Sequence, residues 1–404
     1  LLLAFATLLL PQSILAAPAE AKKLHALFKL DWDYRMRESP EWATFAGYPG
    51  LNDLWSDRSM EAIARRKQQR QARLKALNAI QRESLSAADR LNYDLFRHDL
   101  EESIESDAFG DEFLTVGPLS GPQQSLAQVL AIMDPEREPA QLIARLKGVA
   151  KVVDQTILLL EEGIRRKITP PKVTLRDVPD QVKKLMTEDP DKNPLLQAFK
   201  DSKEATRKAE AARILKESIV PAFQRLHTYL IEKYIPACRE TIAWSALPNG
   251  AAWYAFSARS HTTTRKTPDE IHELGLSEVR RIRGEMDEVI RSTGFKGDFA
   301  EFIRFLRTDS RFYYTDPKEL LRDYRDIAKR VDPELPRLFG KIPRLPYGVK
   351  PVPEYAEKSQ TTAYYEPGSP EAGRAGNFFA NTYDLKMRPK WEMEALTLHE
   401  AVPG

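Results

Sequence analysis

The sequence predicts a mainly α-helical protein, a multi-helix bundle or array with a few short strands before a final helix. Three observations support this fold class. Apolar residues recur at helical spacing in long stretches up to about residue 246, which indicates amphipathic helices. Polar, proline-marked loops separate these stretches, and the chain contains no internal repeat. With 42% hydrophobic residues among 404, the chain can bury a substantial core of antiparallel helices.

Residues 1–19 are predicted to be a secretory signal peptide. Residues 1–10 are almost purely apolar, Pro11 ends the run, and small residues precede a cleavage point after Ala17 or Ala19. A membrane anchor is the alternative, but a bilayer requires about 20 apolar residues. We therefore expect a secreted or periplasmic protein with no membrane association after signal cleavage. The sequence has no initiator Met, and we interpret it as a fragment of a longer precursor.

Residues 20–246 are predicted to form a helical N-terminal region. The main helices are expected at 58–82, 89–105, 139–166 and 205–243, the last interrupted near Pro221 and Pro236. The apolar residues of the helix at 58–82 that should face the core are Met60, Ile63, Leu74, Leu77 and Ile80. Those of the helix at 139–166 include Val149, Val152, Val153, Thr156, Leu159 and Leu160.

The composition argues against nucleic acid or an anionic membrane as a partner. There are 61 basic and 59 acidic residues, a formal net charge of +2, which leaves no electrostatic footprint for a polyanion. A basic run in the helix at 58–82 lacks interleaved aromatic residues, so a solvated helix face explains it better. The single cysteine, Cys238, excludes an intramolecular disulfide. We expect it to be a small buried residue, because no histidine lies nearby to activate a thiolate.

Residues 247–404 are predicted to begin a second region, truncated at its C-terminal end. Aromatic and β-branched residues favour short strands at 253–257 and 261–264. A helix should then start at Thr267-Pro268, where Glu270 completes a capping box. Residues 341–353 are proline-rich and should be extended, and strands are expected at 363–365 and 377–381.

The most distinctive pair for chemistry is His399-Glu400. In zinc hydrolases an imidazole ligates the metal and a neighbouring carboxylate activates the bound water. We predict a helix that begins at Pro389 and presents an apolar stripe of Trp391, Ala395, Leu398 and Val402, with His399 on its flank. Pro403 stands where an H-E-x-x-H motif needs its second histidine. From the dipeptide alone, an ordinary exposed pair on a helix is therefore the alternative.

A second His-Glu pair, His272-Glu273, fails the same spacing test. Leu276 occupies the position of the second ligand. We expect His272 to be a helix-surface or packing residue.

Several segments of the chain resemble one protein family. His399-Glu400-Ala401-Val402-Pro403-Gly404 matches the start of the signature H-E-A-x-P-G-H-H. Residues 247–250, 267–272, 349–353, 364–367 and 376–382 are similar to the same family, in the same order. On these residues the chain resembles the secreted bacterial domain-of-unknown-function 885 family, which is grouped with the thermolysin-like (gluzincin) zinc peptidases. It departs from the family where the histidines after Pro-Gly and a downstream carboxylate are absent.

The resemblance implies a function and a set of site residues. His399 would ligate one zinc ion and Glu400 would be the general base of a secreted peptidase acting on peptide substrates, with the remaining ligands beyond residue 404. Thermolysin-like peptidases bind the substrate backbone along a strand upstream of the zinc helix, so residues 376–382 would offer an exposed edge to the peptide. The residues implied to bind substrate are Gly376, Asn377, Phe379, Asn381, Tyr364 and Tyr365.

Each of these assignments has an alternative. The strand at 376–382 could be an ordinary core or edge strand, and two adjacent tyrosines are commonly one packed ring and one surface ring. If one of them serves the reaction, it would donate a hydrogen bond to the developing oxyanion. A second function class is a non-catalytic helical protein that uses the same fold to hold peptides, and a third is a scaffold anchored by an uncleaved signal. With one ligand of three, residues 1–404 should bind zinc weakly and lack peptidase activity.

Overall fold

A computed structural model describes residues 13–200, 202, 204–354, 356–358 and 360–402 of the chain. The protein is mainly helical (66%), with a small three-stranded mixed sheet near its C-terminal end. This confirms the predicted fold class. The chain divides into two compact units, the first formed by residues up to Ala43 with Gly50–Arg265, the second by Thr44–Pro49 with the chain from Lys266 onward. The predicted signal peptide lies largely outside the described residues.

Helices build the first unit. Their bounds are α1 (Ser13–Glu38), α2 (Pro40–Ala46), α3 (Met60–Asn78), α4 (Ala87–Ser106), α5 (Pro122–Ala131), α6 (Pro139–Arg166), α7 (Val178–Lys184), α8 (Ala205–Ile214), α9 (Val220–Tyr229), α10 (Ile235–Ala237) and α11 (Gly250–Thr262). No described helix is long and apolar enough to cross a membrane.

The core of the first unit is organised around α6. Pro139 occupies the first turn, where its missing N–H has no intrahelical partner to lose, and Lys167 caps the other end in a left-handed conformation. All six residues predicted for its core-facing side are buried. Four of the six share one apolar core with α5, α8 and α9, whereas Leu159 belongs to a second cluster with Phe109 and Phe113. The predicted bounds 139–166 are confirmed.

Two π-helical turns explain how one long helical run tolerates its prolines. Leu215–Ile219 lies between α8 and α9, and Leu230–Tyr234 lies between α9 and α10. Each turn immediately precedes the residue before a proline, Pro221 or Pro236. A proline has no N–H and its ring collides with the carbonyl four residues earlier, and a wider turn relieves both conflicts. The interruptions predicted near these prolines are confirmed as widened turns.

α3 begins after a capping residue, Ser59. The Ser59 hydroxyl accepts a hydrogen bond from the Ala62 N–H at 3.3 Å, which satisfies one of the free donors of the first turn. Ile63 and Leu77 are buried as predicted. Met60 is exposed instead, because it lies in the first turn, away from the stripe that Ile63 and Leu77 define.

The strands predicted at 253–257 and 261–264 are wrong, since the first segment lies within α11 and the second contains the last residues of α11 and the left-handed cap, Thr263, that follows them. Helical spacing places Trp253 and Phe256 on one face, where both are buried and pack against Phe109. Alternation along a strand would have put these two rings on opposite faces. Four alanines in and beside this segment favour a helix, although the aromatic residues favour a strand: Ala251, Ala252, Ala255 and Ala258.

The second unit combines helices with the small sheet. The helices are α12 (Pro268–Ser292), α13 (Phe299–Thr308), α14 (Pro317–Val331) and α15 (Met393–Glu400), and the strands are β1 (Tyr347–Pro351), β2 (Ala363–Glu366) and β3 (Gly376–Ala380). The predicted capping box is confirmed at the start of α12. Its Thr267 hydroxyl accepts from the Glu270 N–H, and the Glu270 carboxylate accepts from the Thr267 N–H.

The sheet runs in the order β1-β3-β2, with β1 parallel and β2 antiparallel to β3. Phe378 of β3 is fully buried, and Tyr324 of α14 meets it edge-on at 5.1 Å between ring centroids. The guanidinium of Arg325 donates to the Val349 carbonyl and so joins α14 to β1. α14 and α15 therefore pack on the sheet and form one core with it.

The second unit also includes residues 44–49, from much earlier in the chain. The Ser369 hydroxyl donates to the Ala46 carbonyl at 2.7 Å, and Arg374 donates to the Phe45 carbonyl at 2.6 Å. Gly47 has a φ of +75°, and a Cβ there would lie 2.7 Å from the Ala372 nitrogen. Only glycine satisfies both the positive φ and this close approach.

Candidate metal centre

α15 carries His399 and Glu400, and it begins later than the sequence predicted. Pro389 has extended backbone and precedes a 3₁₀ turn at Lys390–Glu392. The helix proper begins at Met393. Pro389 thus ends the preceding loop, since its φ suits a polyproline-like approach as well as a first helical turn.

The predicted apolar stripe of this helix is also wrong in part. Trp391, Ala395 and Leu398 are exposed, and the buried positions are Met393 and Thr397, followed by Ala401 and Val402. Met393, Thr397 and Ala401 recur every four residues and face α14 and the sheet.

Two local contacts account for this difference. The Thr397 hydroxyl donates to the Met393 carbonyl at 2.7 Å, which lets a polar residue occupy the core face. Trp391 instead packs edge-on against Phe312 and Tyr313, before the helix begins.

His399 is exposed and Glu400 is partly buried, at the C-terminal end of α15. No described residue forms a hydrogen bond or an ion pair with either side chain. The two side chains are separated by about 100° around the helix, as one residue of α-helical rotation requires. An imidazole and a carboxylate that no residue of the described part of the chain engages are available to an external ligand.

The donor chemistry suits a divalent ion, but these residues do not complete a site. A catalytic zinc ion takes three protein ligands from His, Asp, Glu or Cys and keeps one open position. Within the described ranges, no group of three or more such side chains could hold a metal ion. The role of His399 as a metal ligand stays a prediction. Pro403-Gly404, which the sequence predicts to turn the chain, lie outside the described residues.

The predicted substrate strand is present, but its predicted exposed edge is wrong. β3 lies between β1 and β2, so its backbone is paired on both sides from Gly376 to Ala380. An incoming peptide cannot be added to a central strand. Sheet order is not readable from the alternation of side chains, which is the same for a central strand and for an edge strand.

The two predicted asparagines hold the surrounding loops. Asn381 is 1% exposed, its side-chain amide donates to the Glu357 and Thr361 carbonyls, and its oxygen accepts from the Tyr383 N–H. The Asn377 amide donates to the Ala375 carbonyl at 3.2 Å. Both side chains are engaged within the protein, and a role in substrate binding stays a prediction.

The predicted tyrosines of β2 lie on opposite faces of the sheet. Tyr364 stacks on Phe379, with ring centroids 4.9 Å apart. Tyr365 lies over Gly376 so closely that a Cβ at that glycine would be 1.9 Å from the tyrosine hydroxyl. Burial raises the pKa of Tyr365, so its hydroxyl stays protonated and can donate. A role of either tyrosine in binding an oxyanion stays a prediction.

A family model described as "Bacterial protein of unknown function (DUF885)" matches residues 40–404. The chain belongs to this family. It is also similar to a crystal structure described as that of "the putative lipoprotein from Colwellia psychrerythraea", with a TM-score of 0.85 and 20% sequence identity. That match covers 95% of this chain and 71% of the other, and at this identity it shows a shared fold alone. No curated protein matches the sequence.

In this DUF885 chain, two residues for which the sequence predicts no catalytic role lie where expected. His272 lies exposed on α12. Cys238 is buried, and burial raises the pKa of its thiol to about 12, so it has little thiolate at neutral pH.

The sequence predicts the strand β2 in this DUF885 protein, but not its position in the sheet. By the sheet order it is an outer strand, it is antiparallel to its neighbour, and it packs against α15. Helix ends can be predicted from residues such as threonine, serine or glycine. The position of a strand at the edge of a sheet has no comparable residue pattern.

Proposed function

We propose that this DUF885 protein is a secreted zinc-dependent peptidase that hydrolyses peptide bonds through a metal-activated water molecule. The observation that carries the proposal is the His399-Glu400 pair on α15, whose side chains no described residue engages. A resemblance supports it as well. The two residues lie in the segment that is similar to the signature of the DUF885 family, and that family resembles the thermolysin-like zinc peptidases.

In this proposal His399 holds the zinc ion through its imidazole. Two further ligands are required, and the resemblance expects them after residue 404. When bound, zinc lowers the pKa of water towards 7 and polarises the scissile carbonyl. Glu400 is adjacent in sequence but points elsewhere around the helix, so it can accept the water proton without ligating the ion itself. The same carboxyl group then delivers that proton to the leaving amine.

The outer edge of β2 is the proposed place for the substrate backbone. A peptide laid along β2 would extend the sheet by one strand, with main-chain hydrogen bonds supplying affinity and side-chain pockets supplying selectivity. Because β2 packs against α15, a peptide bound there would pass near the helix that carries His399. In this proposal the substrate backbone pairs with β2 and not with the central strand β3.

The test measures bound zinc and peptide hydrolysis on the complete mature polypeptide, with a peptide library as substrate. His399→Ala should lower zinc affinity by more than the 10- to 100-fold typical of outer-shell partners, and abolish hydrolysis with it. Glu400→Gln should retain zinc and lower kcat/KM by about 10²- to 10⁴-fold, because the proton acceptor is lost.

The matched control is the other His-Glu pair, His272→Ala with Glu273→Gln. Both residues are exposed on α12, so neither zinc content nor hydrolysis should change. Undiminished hydrolysis by the Glu400→Gln protein would disprove the assigned base. If peptides bind equally well to the wild type and to Glu400→Gln, and neither protein cleaves them or contains zinc, the non-catalytic peptide-binding protein is the correct function.

A further inference from the structure

The helix that carries His399, together with the turn before it, exposes an apolar surface beside that residue. Trp391, Ala395 and Leu398 follow one another at steps of four and three residues, and all three are exposed, Trp391 by 42% and Leu398 by 43%. Ala395 lies one helical turn before His399. The opposite side of α15 is buried in the core of the second unit. We call the three exposed residues the α15 stripe.

Contacts on one side hold the indole of Trp391 in place. Phe312 and Tyr313 meet it edge-on, with ring centroids 5.3 and 5.8 Å from that of the indole. The neighbouring Lys390 ammonium donates to the Arg311 carbonyl at 3.0 Å, which joins the turn before α15 to the same segment. A side chain that is already fixed on one side loses little conformational freedom when a ligand covers the other. The stripe therefore begins at a fixed, partly exposed indole.

The size of the α15 stripe suits the side chains of a ligand better than the surface of a second protein. A fully covered aromatic side chain buries about 150–250 Å², so Trp391 at 42% exposure offers on the order of 100 Å². Ala395 and Leu398 are smaller. A stable protein–protein interface buries about 800 Å² on each partner. Two or three apolar side chains of a peptide are enough to cover the stripe.

Helix geometry sets the distance between the stripe and His399. A rise of about 2.0 Å per residue in the 3₁₀ turn and about 1.5 Å in α15 separates Trp391 from His399 by about 13 Å along the axis. An extended peptide advances about 3.3 Å per residue, so this separation corresponds to about four residues. Ala395 lies between the two large side chains, and its single methyl group leaves a depression there.

The stripe is continuous with the strand that is proposed to hold the substrate backbone. β2 packs against α15, and its residues Ala363 and Tyr365 belong to the same apolar core as Leu396. A peptide paired with the outer edge of β2 therefore runs beside this helix. Its side chains alternate between two sides, so every second one is directed to the same side of the strand. A peptide is thus the occupant that both features favour.

We propose that the α15 stripe binds apolar side chains of the peptide substrate, with an aromatic side chain on the indole of Trp391, about four residues from the bond that is cut. The inference rests on the proposed function, which supplies the peptide and the position of the cut. The stripe selects peptides that are long enough to reach Trp391, and Ala395 limits the size of the side chain that fits between Trp391 and His399.

Calorimetry on the complete mature polypeptide, freed of metal by a chelator, tests the stripe without requiring hydrolysis. The probe is a decapeptide of alanine and serine with blocked ends and one central phenylalanine. It should bind about 10- to 100-fold more tightly than the same peptide with serine at that position, because an aromatic ring leaves water. This preference should disappear in Trp391→Ser. It should persist in Trp32→Ser, which removes a tryptophan of the first unit that is 48% exposed.

A second pair of variants leaves the packing of Trp391 intact. Ala395 is exposed, and glutamate is a good helix former, so Ala395→Glu should fold normally. Its carboxylate would be desolvated by an apolar side chain and should weaken binding of the phenylalanine peptide at least about 10-fold. Ala300→Glu, at an exposed alanine of α13, should leave the affinity unchanged. Circular dichroism of all variants checks that the fold is retained.

Mass spectrometry of the products formed by the zinc-loaded protein locates the cut. When the phenylalanine is moved along the decapeptide, the cut should follow it at a distance of about four residues. It should stay on the same side of the phenylalanine, because Trp391 lies towards one end of α15 from His399. Trp391→Ser should remove this constant distance.

Equal affinities for the two peptides, or a preference that survives in both Trp391→Ser and Ala395→Glu, would overturn the proposal. A dimer that Ala395→Glu dissociates, measured by sedimentation, would overturn it too, because a second copy would then cover the stripe. Failure of the proposed function gives another result, in which the preference depends on Trp391 but no peptide is cut. Cleavage that ignores the phenylalanine would retain the peptidase and reject the role of the stripe.

Discussion

Helices α6 and α12 are of similar length, yet they use their apolar residues in opposite ways. α6 buries eleven of its 28 residues in the core of the first unit. Among the described residues of α12, which has 25 positions, only Ile290 is buried. Both sequences carry apolar residues at helical spacing. Periodicity therefore identifies the face of a helix that favours burial, but it does not reveal whether a partner covers that face.

The apolar face of α12 is exposed along most of its length. Its large side chains range from 38% to 66% exposed, and they are Leu274, Leu276, Val279, Ile282, Met286 and Val289. Local interactions hold this helix instead. The capping box fixes its first turn, and Arg281 pairs with both Glu278 and Glu285 on its surface. Tertiary packing stabilises α6, whereas the capping box and ion pairs within the helix stabilise α12.

The largest effect on stability is expected for Arg145→Ala in α6. Arg145 is fully buried and donates to the carbonyls of Leu54, Pro40 and Leu51, and its burial lowers its pKa to about 10. Its loss leaves these acceptors unsatisfied and opens a cavity, so the free energy of unfolding should fall by about 3–5 kcal/mol. Urea denaturation measures this change.

Arg281→Ala is the matched substitution in α12. Its ion pairs are exposed to solvent, so the urea midpoint should stay almost unchanged. If the two arginines had equal effects, the contrast between the two helices would be wrong.

A smaller effect on stability is expected when an aliphatic side chain of each helix is truncated to alanine. Leu146→Ala in α6 removes a fully buried side chain and should destabilise the protein by about 2–5 kcal/mol. Ile282→Ala in α12 removes a largely exposed one and should change stability by less than about 0.5 kcal/mol. Thermal and chemical denaturation should agree on this order. A large loss from Ile282→Ala would mean that a partner covers the α12 face in solution.

The smallest effects should appear within α12 itself. Thr267→Ala removes the capping hydroxyl and should weaken the helix by about 1 kcal/mol. Val279→Ala should strengthen it by a few tenths of a kcal/mol, because alanine has the higher helix propensity and the valine contributes little packing. Hydrogen exchange of the α12 amides should show opposite changes in protection. Faster exchange in Val279→Ala would indicate that this face is packed.

The same contrast explains how far the sequence could predict the fold. α6 was predicted with its correct bounds because Pro139 starts it, the pair Pro170-Pro171 follows it, and its buried stripe is continuous. α11 was predicted as strands because Trp253 and Phe256 raise the local strand preference. A helix formed because it places both rings against Phe109, a contact distant in the sequence.

For the candidate site, the sequence located the helix but not its surroundings. His399 and Glu400 were assigned to a helix correctly, whereas the core face of α15 includes Thr397, a polar residue that bonds its own backbone. The central position of β3 depends on which strands pair with it, and side-chain alternation carries no information on that choice.

The bonds from Ser369 and Arg374 to residues 45 and 46 make the second unit discontinuous along the polypeptide. During synthesis, residues 44–49 leave the ribosome long before the sheet that they join, so the unit cannot be completed until the chain has passed Arg374. A protease that cut any loop between Pro49 and Lys266 would separate this unit into two covalent pieces. Its integrity would then depend on non-covalent contacts alone.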